Sequence, residues 1–400
     1  MRIVFATHAY APAIGGAERY AQGLAEAFVH TGHEVYVLTP NRVSAESFYE
    51  YGHEPAGPRE DNISGVHVHR IPLDPPRRWS RRGAQAYRAI PDAKTRIMWK
   101  RYARTLAERI DHISPDATIA LPHSFPNVLA ALDAPSRGIA VYAPLLHEED
   151  PAWRVAPIAE LVSKSDVVLA LTTWERDRLV TTYRSDPDRT YIAPPVVDAP
   201  QPENVKSYEL DTPYVLAVGR RTRSKNLLMS ARAIHNMNFR ESRVRLIIAG
   251  PGSDPDLDRE LQAFDRFVDL VGVVTEEEKW SLIKGSVASV SMSASESFGI
   301  GIAEAWAMRR PAIARRVGPI ESIVDDGVDG FLVDDEEDLT DKLATLLADP
   351  AGADRMGAAG NRKIREPRDS SASTVVSAIS AVLDCSYNRP GNGGTSFDGS

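Results

Sequence analysis

Three short stretches of this 400-residue chain carry residue types suited to a phosphorylated, hydroxyl-rich ligand. The first, Pro12-Ala13-Ile14-Gly15-Gly16-Ala17-Glu18, sets Gly15 and Gly16 just ahead of a helical pattern. Paired glycines let backbone amides approach an anion, and a helix start adds about half a positive charge. A plain strand-to-helix turn would use the same residues. The second stretch, Val218-Gly219-Arg220-Arg221-Thr222-Arg223-Ser224-Lys225-Asn226, brings four cations to one loop. Arginine offers a flat fork for two phosphate oxygens, and lysine a mobile point charge. The third, Ser295-Glu296-Ser297-Phe298-Gly299-Ile300-Gly301-Ile302-Ala303-Glu304, opens a helix and sets two carboxylates eight residues apart. Ionised carboxylates only accept hydrogen bonds, which suits the hydroxyls of a ribose or a hexose. A glycosidase-type acid–base pair would leave both phosphate-type loops unexplained.

Other chemistries are disfavoured. Gly250-Pro251-Gly252-Ser253-Asp254-Pro255 has proline where a dinucleotide fingerprint needs its third glycine, and no P-loop is present. Asp256-Leu257-Asp258 reads as the acidic first turn of a helix rather than a metal-binding pair. The single cysteine, Cys385, excludes an intramolecular disulfide, a CxxC redox pair and a thiolate zinc site.

The elements that must position these loops alternate twice. An apolar run at 3–6 reads as a strand, apolar spacing over 17–29 as a helix closed near Gly32, and 35–38 as a second strand. Residues 43–92 read as irregular, followed by a helix over 94–111 and strands at 118–121, 138–143 and 166–170. A proline-marked segment between 193 and 213 reads as a linker. The alternation then restarts, with strands at 214–218, 244–249, 268–271, 287–292, 311–314 and 330–333. Thr275-Glu276-Glu277-Glu278 is a capping box opening a helix. Two such alternations predict two doubly wound, parallel-sheet α/β domains of the Rossmann-like kind, with ligands beyond the carboxyl ends of the strands. The expected organisation is a first domain over 1–200, a second over 201–365, a C-terminal helix over 366–386 packing back on the first, and a disordered tail over 387–400.

Composition bounds the setting. With 47 Lys+Arg against 55 Asp+Glu, the net charge of −8 argues against a nucleic-acid partner held by bulk positive charge. No segment reaches bilayer-spanning length, and the first residues are too short an apolar run for a signal peptide. The expected location is cytoplasmic.

Taken together, PAIGGAE, the strand-terminal His123-Ser124 and Leu146-His147, VGRRTRSKN, IIAGPG, VGVVTEEE, ESFGIGIAE and DDGVDGFLV resemble retaining glycosyltransferase family 4, whose Glu-x7-Glu motif Glu296 and Glu304 match. The resemblance covers nearly the whole chain and implies a GT-B fold with an interdomain cleft. It implies a hexosyltransferase using a nucleoside-diphosphate sugar, with no metal and no other cofactor. Arg220 and Lys225 would hold the donor diphosphate, with amides at Gly15, Gly16, Gly219, Gly299 and Ile300, and Phe298 in the same loop. Glu304 would bind the ribose, Glu296 the transferred sugar, and His147 would stand beside the anomeric centre. His123 would lie on the acceptor side. Alternatives on this fold are a phosphorylase, a nucleotide-sugar epimerase, or a non-catalytic sugar-nucleotide-binding subunit. The chain departs from the family at Ala307-Met308-Arg309-Arg310-Pro311 and at Arg315-Arg316-Val317-Gly318-Pro319, which bears on donor-sugar preference.

One region stands apart in charge. Between residues 75 and 109 lie eleven Lys/Arg, including Arg77, Arg78, Arg81 and Arg82, against Asp92 and Glu108. Trp79 and Trp99 interleave with them. This basic island reads either as a solvated helix face or as contact with an anionic acceptor or the inner face of an anionic membrane.

Overall fold

A computed structural model describes residues 1–13, 15–41, 57–72, 93–123, 126–147, 158–239, 243–252, 254–365 and 370–387. Short apolar runs covered on both faces become strands of two sheets, because only a doubly covered parallel sheet buries such runs completely. The first sheet holds β1 (Arg2–Ala6), β2 (Glu34–Pro40), β3 (Glu60–Ile63), β4 (Val66–Ile71), β5 (Ala117–Ala120), β6 (Ile139–Tyr142), β7 (Val167–Ala170) and β8 (Thr190–Ile192), in the order β3-β4-β2-β1-β5-β6-β7-β8. The second holds β9 (Tyr214–Val218), β10 (Arg245–Ala249), β11 (Val268–Gly272), β12 (Ser289–Ser291), β13 (Ala312–Arg315) and β14 (Gly330–Val333), in the order β11-β10-β9-β12-β13-β14. All pairs in the second sheet are parallel. Strand order reverses beside β1 in the first sheet and beside β9 in the second. Crevices beyond the carboxyl ends of the strands at such points are where doubly wound folds take ligands. The loops starting at Thr7 and Gly219 leave from these places.

Helices cover both faces. On one side of the first sheet, Tyr20, Leu24 and Phe28 of the helix Gly16–His30 pack with Phe5 and Val37. On the other, Tyr102, Leu106 and Ile110 of the helix Ala93–Ile113 pack with Val4, Ala6 and Leu38. Each such side chain contributes about 1.5–3 kcal/mol by leaving water. The helix Ser370–Tyr387 returns to the first domain, placing Val375, Ala378 and Ile379 in its core, and Ser371 Oγ donates to Pro194 O at 2.9 Å. Phe298 and Ala303 of the second domain belong to that same core, so the two domains share buried apolar surface.

The structure corrects the reading of 43–92 as irregular. Residues 60–71 form the antiparallel hairpin β3–β4, joined at Ser64 and Gly65, both at positive φ (53° and 85°). Two consecutive positive φ values give the tight turn whose twist matches paired strands. Asn62 Oδ1 fixes the turn by accepting from Gly65 N at 3.1 Å. Strand β8 also lies just ahead of the proline-marked segment. By contrast, the capping box is as the sequence specifies: Glu278 N donates to Thr275 Oγ1 at 3.2 Å and Thr275 N to Glu278 Oε2 at 2.8 Å.

Candidate active site

The loop after β12 supplies the centre. Gly299 caps the helix Ile300–Ala307 from φ 81°, a conformation glycine takes without strain, and that helix has no acid in its first turn. No side chain caps this amide end, which leaves its partial positive charge for an anion. Glu296 lies ahead of it, and its Oε1 accepts from Lys225 Nζ at 2.5 Å. Lys225 belongs to the loop after β9, so the lysine and the first glutamate singled out in the sequence meet directly. From the first domain, His147 Nδ1 comes within 3.3 Å of Ser295 Oγ, beside Glu296.

Glu304, one helical turn further on, is 4% exposed and ion-paired from both sides. Its Oε1 accepts from Arg19 Nη1 at 3.0 Å and from Lys279 Nζ at 2.8 Å. Lys279, itself 3% exposed, also donates to Glu276 Oε2 at 2.6 Å, and Arg19 Nη2 reaches Glu276 Oε1 at 2.5 Å. Four charges thus balance across the interdomain boundary. Arg19, Glu276 and Lys279 escaped sequence reasoning. Arg19 directly follows the GGAE run and Lys279 sits in the capping-box helix, but nothing local marks their shared partner.

The first glycine loop is differently furnished. Glu18, at the first turn of the helix Gly16–His30, folds back over Gly15, and its Oε1 pairs with His8 Nε2 at 3.3 Å. Burial pushes its carboxyl up, but His8, its own backbone amide and the charge of Arg220 outweigh this and hold it at about 2. The chain's own anion therefore lies at this helix start. Gly16 faces Ile300, a Cβ there standing 3.9 Å from Ile300 Cδ1.

Several expected residues fall elsewhere. Of the four cations after β9, Arg221 is committed to Asp258 (2.7 and 3.0 Å) and to Gly250 O, and Arg223 to Asp254 and Glu260. Arg220 and Lys225 remain at the carboxyl edge, Arg220 exposed. The Phe298 ring is buried in the core shared by the two domains rather than lining an open cleft. His123 is fully buried, its Nδ1 2.6 Å from the Tyr142 hydroxyl, and burial holds its imidazole down at about 4. His123 is thus a buried neutral imidazole packed on Tyr142. Arg309 takes φ 55° in the turn entering the amino end of β13, which explains a preference for glycine there and removes it from the ligand edge. Arg77, Arg78, Arg81, Arg82 and Trp79, like the 388–400 tail, lie outside the described residues, as does the Trp99 side chain.

Two doubly wound domains that set ligand loops face to face define a GT-B fold, and each domain of this chain matches a glycosyl transferase family. Residues 15–195 match the Glycosyl transferase 4-like domain and residues 212–349 the Glycosyl transferases group 1 family. Among curated proteins, the chain is 32% identical over 236 residues to a D-inositol 3-phosphate glycosyltransferase of Xylanimonas cellulosilytica, covering 52% of this chain and 55% of that one. A protein of the same name from Thermobifida fusca is 31% identical over 233 residues, covering 53% and 54%. The chain thus spans about half the length of the curated relatives it matches. Among solved structures, sucrose-phosphate synthase from Thermosynechococcus elongatus superposes with TM-score 0.75 at 16% identity, covering 96% of this chain and 99% of that one. Anabaena HepE in complex with UDP and glucose superposes with TM-score 0.68 at 16% identity, covering 96% and 100%. Among the described residues, no helix is long and apolar enough to cross a membrane, and no group of three or more His, Cys, Asp or Glu could hold a metal ion.

Proposed function

We infer that this protein is a retaining, family 4 glycosyltransferase that moves a hexose from a nucleoside-diphosphate sugar to an acceptor hydroxyl without a metal. The observation that carries the reading is the convergence of Lys225, Glu296 and His147 at one point of the cleft, Lys225 to Glu296 at 2.5 Å and His147 to the adjoining Ser295 at 3.3 Å. Departure of a diphosphate needs fixed positive charge, which Arg220, Lys225 and the amides at Gly299 and Ile300 supply. Glu296 accepts from the hydroxyls of the transferred sugar and Glu304 from the ribose. The acceptor attacks from the face that the diphosphate leaves, across an oxocarbenium-like centre beside His147. Solved relatives in complex with UDP and UDP-glucose favour a UDP-linked donor. The curated relatives' names favour a phosphorylated acceptor.

The basic island fits an anionic acceptor or an anionic membrane surface, with Arg101, Arg104 and Arg109 exposed on the helix Ala93–Ile113. Binding to vesicles carrying anionic lipid should weaken as salt rises. No vesicle binding together with turnover of neutral acceptors only would remove that part of the reading.

The test of the whole is product analysis. UDP-sugars incubated in EDTA with a panel of phosphorylated and neutral polyols should release UDP in step with an α-linked product. Epimerised sugar nucleotide without acceptor would make the protein an epimerase, and sugar phosphate formed from inorganic phosphate a phosphorylase. Tight UDP binding with no product would make it a binding subunit.

A further inference from the structure

A buried carboxylate of the first domain uses both of its oxygens on the backbone of cleft loops, yet it touches none of the groups that would meet substrate. Glu175, in the helix Thr173–Thr181, is 1% exposed. Its Oε1 accepts from Leu146 N at 2.7 Å and its Oε2 from Leu171 N at 2.6 Å. Leu171 follows β7, and Leu146 immediately precedes His147. Leu145 sits at φ 56°, a conformation that bulky side chains take only when their surroundings force it. The turn is thus held from outside, by burial of Leu145 and Leu146 and by the Glu175 bond to the amide next to the histidine.

Both carboxyl oxygens accept a backbone amide, whereas a glutamine would set its NH₂ against one of them. Burial pushes this carboxyl up and the two amide bonds pull it part of the way back, leaving it at about 7. The ionisable groups facing it are Tyr20 and Tyr142, whose phenols burial keeps neutral. Among the described residues, no cation is a cause of its shift.

We propose that Glu175 is a positioning residue for sugar transfer, fixing the turn at 145–147 so that the His147 ring stands at the reacting centre. The proposal rests on the role given to His147 above. It goes beyond the family pattern, because the acting group is a core carboxylate one loop away.

A double-mutant cycle tests it, with kcat for acceptor-dependent UDP release and the Kd for UDP measured on wild type, Glu175→Gln, His147→Ala and the double variant. A small misplacement of a group at the reacting centre costs about tenfold or more in rate, so Glu175→Gln should lose that much in kcat with UDP affinity within about twofold of wild type. Added to His147→Ala, the same change should cost less than about twofold, because its effect is already spent. Equal losses in both backgrounds, or a loss of UDP affinity matching the loss in kcat, would overturn the proposal. Full kcat in His147→Ala would overturn it together with the role of His147. Glu175→Asp keeps the charge but withdraws one oxygen, and carries the same cycle with the same expectations if the glutamine variant does not fold.

Discussion

The two glycine-marked helix starts look alike in sequence and differ in what occupies them. At Gly15–Gly16 the carboxylate of Glu18 lies over the helix start, held ionised by His8 and Arg220. At Gly299–Ile300 no acid stands in the first turn, and Lys225 and Glu296 flank the opening. An anion-binding helix end already holding an internal anion has little left to offer a phosphate. On the function proposed above, the diphosphate belongs to the second domain and the first glycine loop shapes the opposite wall.

This contrast can be broken in several places. The largest effect belongs to Lys225→Ala and Glu296→Ala. Each removes charge or hydrogen bonding that matters most in the transition state, so each should cost about 10²–10³ or more in kcat while the thermal midpoint stays within a few degrees of wild type. A near-native rate in either variant would empty the second-domain site of its role. Next come the glycines themselves. Alanine at 299 must hold φ 81° and bring its Cβ to 2.8 Å from Ile320 Cδ1, so about 1–3 kcal/mol of stability and much of the UDP affinity should go. Alanine at 16 meets nothing closer than 3.9 Å, and calorimetry and UDP titration should find it within about 1 kcal/mol and about twofold of wild type. Equal losses at the two positions would erase the distinction.

The smallest effect is a pH dependence. The Glu18 carboxyl is held at about 2 in the folded protein, below its value of 4.5 when unfolded. Its stabilisation is therefore present above about pH 4.5 and lost as pH falls towards 2. The stability difference between wild type and Glu18→Gln, measured by denaturant unfolding, should shrink by about 1 kcal/mol between pH 7 and pH 3.5. A difference that grows on acidification would mean the carboxylate is not the resident anion.

What the sequence discloses follows the range of the interactions. The capping box at Thr275 and Glu278 spans three residues and is visible without a structure. The strand–helix alternation and the Glu296–Glu304 spacing are equally local. The hairpin at 60–71 escapes a search for apolar runs because β3 is largely polar (Glu60-Asp61-Asn62) and β4 alternates valine with histidine. Arg221 and Arg223 look like ligand cations because their carboxylate partners lie in the next βα unit. The Arg19–Glu304 pair joins residues 285 apart, and only the closure of two domains reveals it. Glu175 was invisible for a related reason: its partners are backbone amides, which carry no sequence signature.

Titration of UDP into wild type, Gly16→Ala and Lys225→Ala by calorimetry tests the central claim most directly. The assignment of the diphosphate to the second domain predicts saturable binding to wild type, an affinity within about twofold in Gly16→Ala, and at least about a tenfold loss in Lys225→Ala. Unchanged affinity in Lys225→Ala with a loss in Gly16→Ala would contradict it.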